Sequence, residues 1–281
     1  MNTDQVVIDR WDKAGDAAAY GAALALTPYL AIKVSWVVGA LAGVLPMGEG
    51  MTTSEFVALN TATIVMSAVG ILVALALVRP WGVRIPAHLM VLGSWIGAGF
   101  LVPLLPYAIV GLVAGPEAGD EMPAWEATLI QAGFVGMGLG LAVALPTYFR
   151  RRWPRAMTGL IGDRPLHGPL VGWSIAAAGG LAAIWTYAAL DTGMTLGLLF
   201  AFWALAAAVA VGCLVGGRPS LMPRWIAMTV AWLGSGSLFA WSAWKLPLSS
   251  LVDTGAPVWT FVIGILAGAV MLRTLVGGGQ R

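Results

Sequence analysis

From Tyr20 to Leu45 the chain reads YGAALALTPYLAIKVSWVVGALAGVL, 26 residues with Lys33 as the only charge. A helix needs about 20 apolar residues to cross the hydrocarbon core of a bilayer, so this stretch is long enough to span. Seven further apolar stretches follow. The eight lie at approximately 18–45, 56–79, 85–114, 124–149, 169–190, 194–216, 224–246 and 257–276. Charged residues make up 10% of the chain, against roughly 25% in soluble domains, too few to cover this much apolar surface in water. In lipid every backbone polar group must be satisfied internally, which a helix does within its own segment. The expected fold is therefore all-α: a polytopic integral membrane protein of eight transmembrane helices forming a single transmembrane domain over 1–281.

Local sequence sets the joints. Pro103 and Pro106 predict that the long third span bends or ends early, because proline removes a backbone donor and crowds the preceding turn. Asp191, Thr192 and Gly193 alone separate spans five and six, which predicts a tight helical hairpin. Residues 1–17 read as a cytoplasmic N-terminal segment. Val6, Val7, Trp11 and Ala14 have the spacing of a short interfacial helix. Four aspartates beside Arg10 and Lys13 do not fit the basic start of a cleavable signal peptide.

Basic residues in short loops mark the cytoplasmic side. Arg79 and Arg84 lie between spans two and three, and Arg150, Arg151, Arg152, Arg155 and Arg164 between spans four and five. Arg218 and Arg224 lie between six and seven, while Arg273 and Arg281 flank span eight. The alternate loops are acidic, with Glu49 and Glu55, then Glu117, Asp120, Glu121 and Glu126, then Asp191, then Asp253. This alternation predicts a plasma-membrane protein with both termini in the cytoplasm and a basic cytoplasmic loop at 150–164. Lys245 alone departs from it, beside Trp241 and Trp244 in an aromatic belt.

Span three, RIPAHLMVLGSWIGAGFL, resembles span seven, LMPRWIAMTVAWLGSGSL. Pro86, Trp95, Gly97 and Gly99 match Pro223, Trp232, Gly234 and Gly236 at one constant offset. Four spans per half is an even number, so such halves, 18–149 and 165–276, would be parallel repeats.

Several chemistries are excluded. One cysteine, Cys213, rules out an intrachain disulfide or a paired-cysteine metal motif. His88 and His167 do not share a depth suited to ligating haem. Nucleophile-elbow, zinc-protease, Asp-rich diphosphate and Walker motifs are all missing. No cofactor or metal is implied, and no nucleic-acid partner. Gly133, Gly136, Gly138 and Gly140 on span four, with Gly39 and Gly43 on span one, read as close helix-packing surfaces. The arginine cluster from Arg150 is a topology signal and a surface for anionic lipid head groups.

Lys33 is the leading candidate for function. A lysine at the centre of a span costs about 2.5–3.5 kcal/mol on insertion scales and marks a site by default. Pro28 precedes it by five residues, and Tyr29 and Trp36 share its helix face. No acidic residue lies at the centre of any span. Asn60 on span two, with Gln131 and Glu126 on span four, could line a cavity with it. In the proposed second half LAIKVSW aligns with LAAIWTY, where Ile184 replaces the lysine. The run TPYLAIKVSWVVGA resembles polytopic membrane proteins of high-GC actinobacteria, over span one only, and that resemblance implies no activity.

The function expected from these residues is a carrier or permease component for a small anionic or amphipathic molecule, with Lys33, Tyr29, Trp36, Asn60, Gln131 and Glu126 as the ligand-binding set and no catalytic residue. Two alternatives are a membrane-embedded enzyme acting on a lipid or isoprenoid substrate and a non-catalytic membrane subunit or immunity-type protein. The partners expected are the lipid bilayer, a small-molecule substrate, and a membrane-protein partner or a homo-oligomer.

Overall fold

The computed structural model describes residues 3–44, 52–115, 122–249 and 256–277, and among these it is an all-α polytopic membrane protein. The helices are α1 (Thr3–Leu41), α2 (Thr53–Ala76), α3 (Ala87–Leu101), α4 (Leu105–Ala114), α5 (Ala124–Arg152), the single turn α6 (Pro154–Met157), α7 (Val171–Thr192), α8 (Thr195–Gly216), α9 (Arg224–Leu248) and α10 (Val258–Gly277). Seven of them are long and apolar enough to cross a membrane. In place of the eighth expected span stand two helices, α3 and α4, which are long and apolar enough only together and meet at a bend of 45°. At 15 residues and about 1.5 Å per residue, α3 is too short to cross a core of about 30 Å alone. Glu49, Glu117, Asp120, Glu121, Asp253 and Arg281 lie outside the described residues.

Two boundaries differ from the sequence reading. The N-terminal segment is no separate interfacial helix, because α1 runs unbroken from Thr3 to Leu41 with Pro28 inside it. No proline lies between Thr3 and Thr27 to stop the helix, and Arg10, Lys13, Ala14 and Ala17 to Ala19, all good helix formers, continue it. The same helix ends at Leu41 rather than Leu45, closed by Gly43 at φ 69°. The hairpin at Asp191–Gly193 forms as expected, with Gly193 in the left-handed region (φ 71°) between α7 and α8.

The chain divides into two compact units: Met1–Gly93 with Leu105–Tyr148, and Ser94–Leu104 with Phe149–Arg281. In the first unit α1 packs along α2 and lies close against α5. A Cβ added to Gly140 would stand 2.6 Å from the carbonyl oxygen of Ala18, and one on Gly133 would stand 3.1 Å from that of Ala25. The glycines of α5 thus serve as the close-packing surface read from their spacing. A capping box starts α2: Glu55 N–H donates to Thr52 Oγ1 at 3.3 Å, and Thr52 N–H donates to Glu55 Oε2 at 2.8 Å.

In the second unit α7, α8, α9 and α10 form a closed ring, each packed on the next. The end of α3 enters this unit at a crossing of two glycines. Gly99 and Gly236 meet backbone to backbone, so the two stretches that resemble each other in sequence meet at these glycines. Trp95, 1% exposed, donates from Nε1 to Ser235 Oγ at 3.0 Å. The break at Pro103 leaves carbonyls without helical partners, which lipid cannot satisfy. Two indoles do so: Trp241 Nε1 donates to Phe100 O at 3.1 Å and Trp203 Nε1 to Pro103 O at 3.2 Å. At the arginine-rich end, Ile161 N–H donates to Met222 O at 3.0 Å and Leu166 N–H to Leu214 O at 2.8 Å. There the Arg224 guanidinium, 4% exposed, donates to the Arg164 carbonyl.

Candidate functional site

The packed face of α1 contains Ala22, Leu26 and Tyr29, all buried. Continued at helical spacing, this stripe reaches Lys33 and Trp36. Lys33 therefore projects along an interhelical face, not into lipid. It lies eight residues before the end of α1 at Leu41, or about 12 Å along the axis.

The ammonium is held by two helices. Lys33 Nζ donates to Asn60 Oδ1 of α2 at 3.0 Å. It stands 3.8 Å from the ring centroid of Trp36 and 5.6 Å from that of Tyr29. Cation–π contacts of this kind contribute about 0.5–2 kcal/mol, more when desolvated. Asn60, 4% exposed, is itself fixed, because its Nδ2 donates to Phe56 O at 2.9 Å and leaves Oδ1 for the lysine. Thr63, one turn on, bonds the Asn60 carbonyl at 2.8 Å and shares a hydrogen bond with Tyr29. Tyr29 also packs against Phe134 of α5, with ring centroids 5.0 Å apart.

A carboxylate enters through the tryptophan. Trp36 Nε1 donates to Glu126 Oε2 at 3.1 Å, and Glu126 lies close enough to act electrostatically on Lys33. The sequence offered no acidic partner at the depth of Lys33. In the structure a carboxylate from the first turn of α5 is linked to the lysine only through Trp36, which stands one helical turn nearer that end. The result is a polar bridge across three helices, from Asn60 through Lys33 and Trp36 to Glu126. Lys33 forms no ion pair among the described residues; its one hydrogen bond goes to a neutral amide.

Five of the six candidate residues are thus joined by contacts: Lys33, Tyr29, Trp36, Asn60 and Glu126. Gln131 is not joined to them. Its amide lies against α4, where a Cβ on Gly111 would stand 3.1 Å from Gln131 Nε2. Sequence reasoning missed Phe56, whose carbonyl orients Asn60 and whose ring lies 6.4 Å from that of Trp36. The available signal was its spacing, four residues before Asn60 on one face of α2.

His88, His167 and Asp191 are all exposed. Among the described residues no three His, Cys, Asp or Glu side chains gather where they could hold a metal ion. The site offers a cation, an amide, an indole and a carboxylate, joined by hydrogen bonds and a cation–π contact. It contains no nucleophile with an adjacent base. No protein-family model, no curated protein and no solved structure matches this chain.

Proposed function

We propose that this multi-pass membrane protein is a carrier or permease component for a small anionic or amphipathic molecule, bound at Lys33. One observation carries the reading: the ammonium of a membrane-embedded lysine is hydrogen-bonded to a neutral amide, while the carboxylate that acts on it, Glu126, is hydrogen-bonded to the Trp36 indole. A charge so placed retains donors for a ligand, since an ammonium has three. An arriving carboxylate or phosphate would displace Asn60 from Lys33 and compete with Glu126 for its field. Release of Glu126 from Trp36 would then accompany binding and loosen α5 from α1. Pro28, which leaves the Leu24 carbonyl without its helical donor, gives α1 a place to flex.

The test is flux of a panel of small carboxylates and phosphates into liposomes containing the purified protein. Lys33→Met is expected to reduce uptake by about tenfold or more, the loss of one charge-assisted hydrogen bond, and Lys33→Arg to retain a large part of it. Wild-type flux through Lys33→Met would remove the lysine from the mechanism.

The same reading places the protein in the plasma membrane with the arginine-rich loops inside. On a Cys213→Ala background, Thr192→Cys is expected to react with an impermeant maleimide on intact cells, and Thr158→Cys only after permeabilisation. Both positions are exposed. The reverse pattern would invert the orientation.

A further inference from the structure

At the end of the second unit away from the arginine-rich loops, the last turns of α7 and α9 meet the first turns of α8 and α10. They enclose a cavity of about 40 Å³ walled by Trp185, Phe200, Trp241 and Phe261, with Ser242 and Lys245 among its lining. Ser242 and Lys245 are three apart on α9 and share one face, and the third polar lining residue, Thr192, donates to the Ala188 carbonyl. Lys245 Nζ lies 5.0 Å from the Phe200 ring centroid and 5.9 Å from that of Phe261. The indole donors of the walls are already engaged, Trp241 with Phe100 O and Trp185 with Thr260 Oγ1.

Ser242 is the anomaly. It is 1% exposed and its hydroxyl has no hydrogen-bond partner among the described residues. Other helical hydroxyls in this protein donate to a carbonyl one turn back, as Ser67, Thr186 and Thr274 do. A buried hydroxyl left unpaired beside a cation, in a cavity, is a donor without its acceptor. The cavity has room for roughly three water-sized groups at about 10–15 Å³ each. That admits a carboxylate or the oxygens of one phosphate, and not a choline or sugar head. Met194, 45% exposed, and exposed Thr192 line the cavity on its open side, beside exposed Leu190 and Leu198. An acyl chain leaving the cavity would continue over that apolar surface.

The geometry points to a second anion site, which takes the charged head of a single-chain amphiphile between Lys245 and Ser242. It is independent of Lys33, on different helices and in the other unit. Its occupant is an acyl chain ending in a carboxylate or a phosphate ester, drawn from the leaflet on that side.

Equilibrium binding of radiolabelled palmitate to the purified full chain in nanodiscs tests it, with methyl palmitate as the uncharged control and lysophosphatidylglycerol as competitor. Palmitate is expected to bind about tenfold more tightly than its methyl ester, the difference a charge-assisted hydrogen bond makes. Lys245→Met should remove that preference and leave the ester's affinity unchanged; Lys245→Arg should keep the preference, which separates loss of charge from misfolding. Ser242→Ala should weaken palmitate binding about threefold. Ala188→Phe, which fills the cavity from its wall, should abolish binding of both. Displacement of palmitate by lysophosphatidylglycerol would extend the occupant to phosphate heads, and competition by fatty acids alone would confine it to carboxylates. Equal affinity of the wild type for palmitate and its ester, or wild-type palmitate binding by Lys245→Met, overturns the proposal.

Discussion

Replacing Gly236 with leucine is expected to destabilise the second unit by about 3 kcal/mol or more, at the upper end of overpacking costs. A Cβ at this position would stand 2.6 Å from the Trp95 carbonyl oxygen and 3.1 Å from Gly99 Cα. Both are backbone atoms, so no rotamer change relieves the overlap and the two helices must separate. Separation would also pull Ser235 away from the Trp95 indole, a buried pair at 3.0 Å, and leave both groups unsatisfied in an apolar interior. The control is Gly180→Leu on α7, where an added Cβ meets nothing within 4 Å. That variant should stay within about 0.5 kcal/mol of wild type. Thermal melting in detergent, followed by tryptophan fluorescence, compares them. If the two variants melt together, the close crossing at Gly99 and Gly236 is not what holds α3 and α9 in contact.

That crossing shows both the reach of the sequence and its limit. The glycine and tryptophan matches between spans three and seven were visible as a repeat, but repetition does not say that the matched residues touch. Features that depend on one segment were legible. Length and apolarity gave the seven long apolar helices, because the bilayer imposes one scale on every helix. Pro103 with Pro106 gave the bend between α3 and α4, and Asp191 to Gly193 gave the hairpin, because proline and glycine act on their own backbone. The N-terminal segment was misread as a separate helix, since its charges mark a change of solvent and a helix can pass through such a change unbroken. Pairings between segments were not legible. Asn60 could be named as a polar residue in a span, but its contact with Lys33 depends on how α2 is rotated against α1. Glu126 could be named as a lining residue from the outer end of span four, but not as the partner of Trp36. It reaches the site only through the length of the Trp36 side chain. Lys245 read as a belt residue, and the orphan hydroxyl of Ser242, three residues before it, becomes meaningful only once the walls around the pair are known.

Rotation of α2 against α1 can itself be measured, through the free energy that couples Lys33 to Asn60. Asn60→Leu should destabilise the protein by about 3 kcal/mol, because it strands an ammonium inside the apolar bundle without its acceptor. Lys33→Met should do far less. It gives up the 3.0 Å hydrogen bond to Asn60 and the contact with Trp36, and it orphans a buried amide oxygen. It also removes a charge that costs about 2.5–3.5 kcal/mol to hold in a span. These terms oppose one another, so the variant should lie within about 1 kcal/mol of wild type. The double variant Lys33→Met/Asn60→Leu has neither the stranded charge nor the orphaned amide. It should therefore recover about 2 kcal/mol relative to Asn60→Leu alone, a coupling in the range found for residues in direct contact. Single effects that add to within about 0.5 kcal/mol would mean that the two side chains do not meet. A lysine present for stability would show the opposite order, with Lys33→Met the most damaging single change. Near-neutral stability together with lost anion flux is the combination expected of a charge that the membrane tolerates only because the protein uses it.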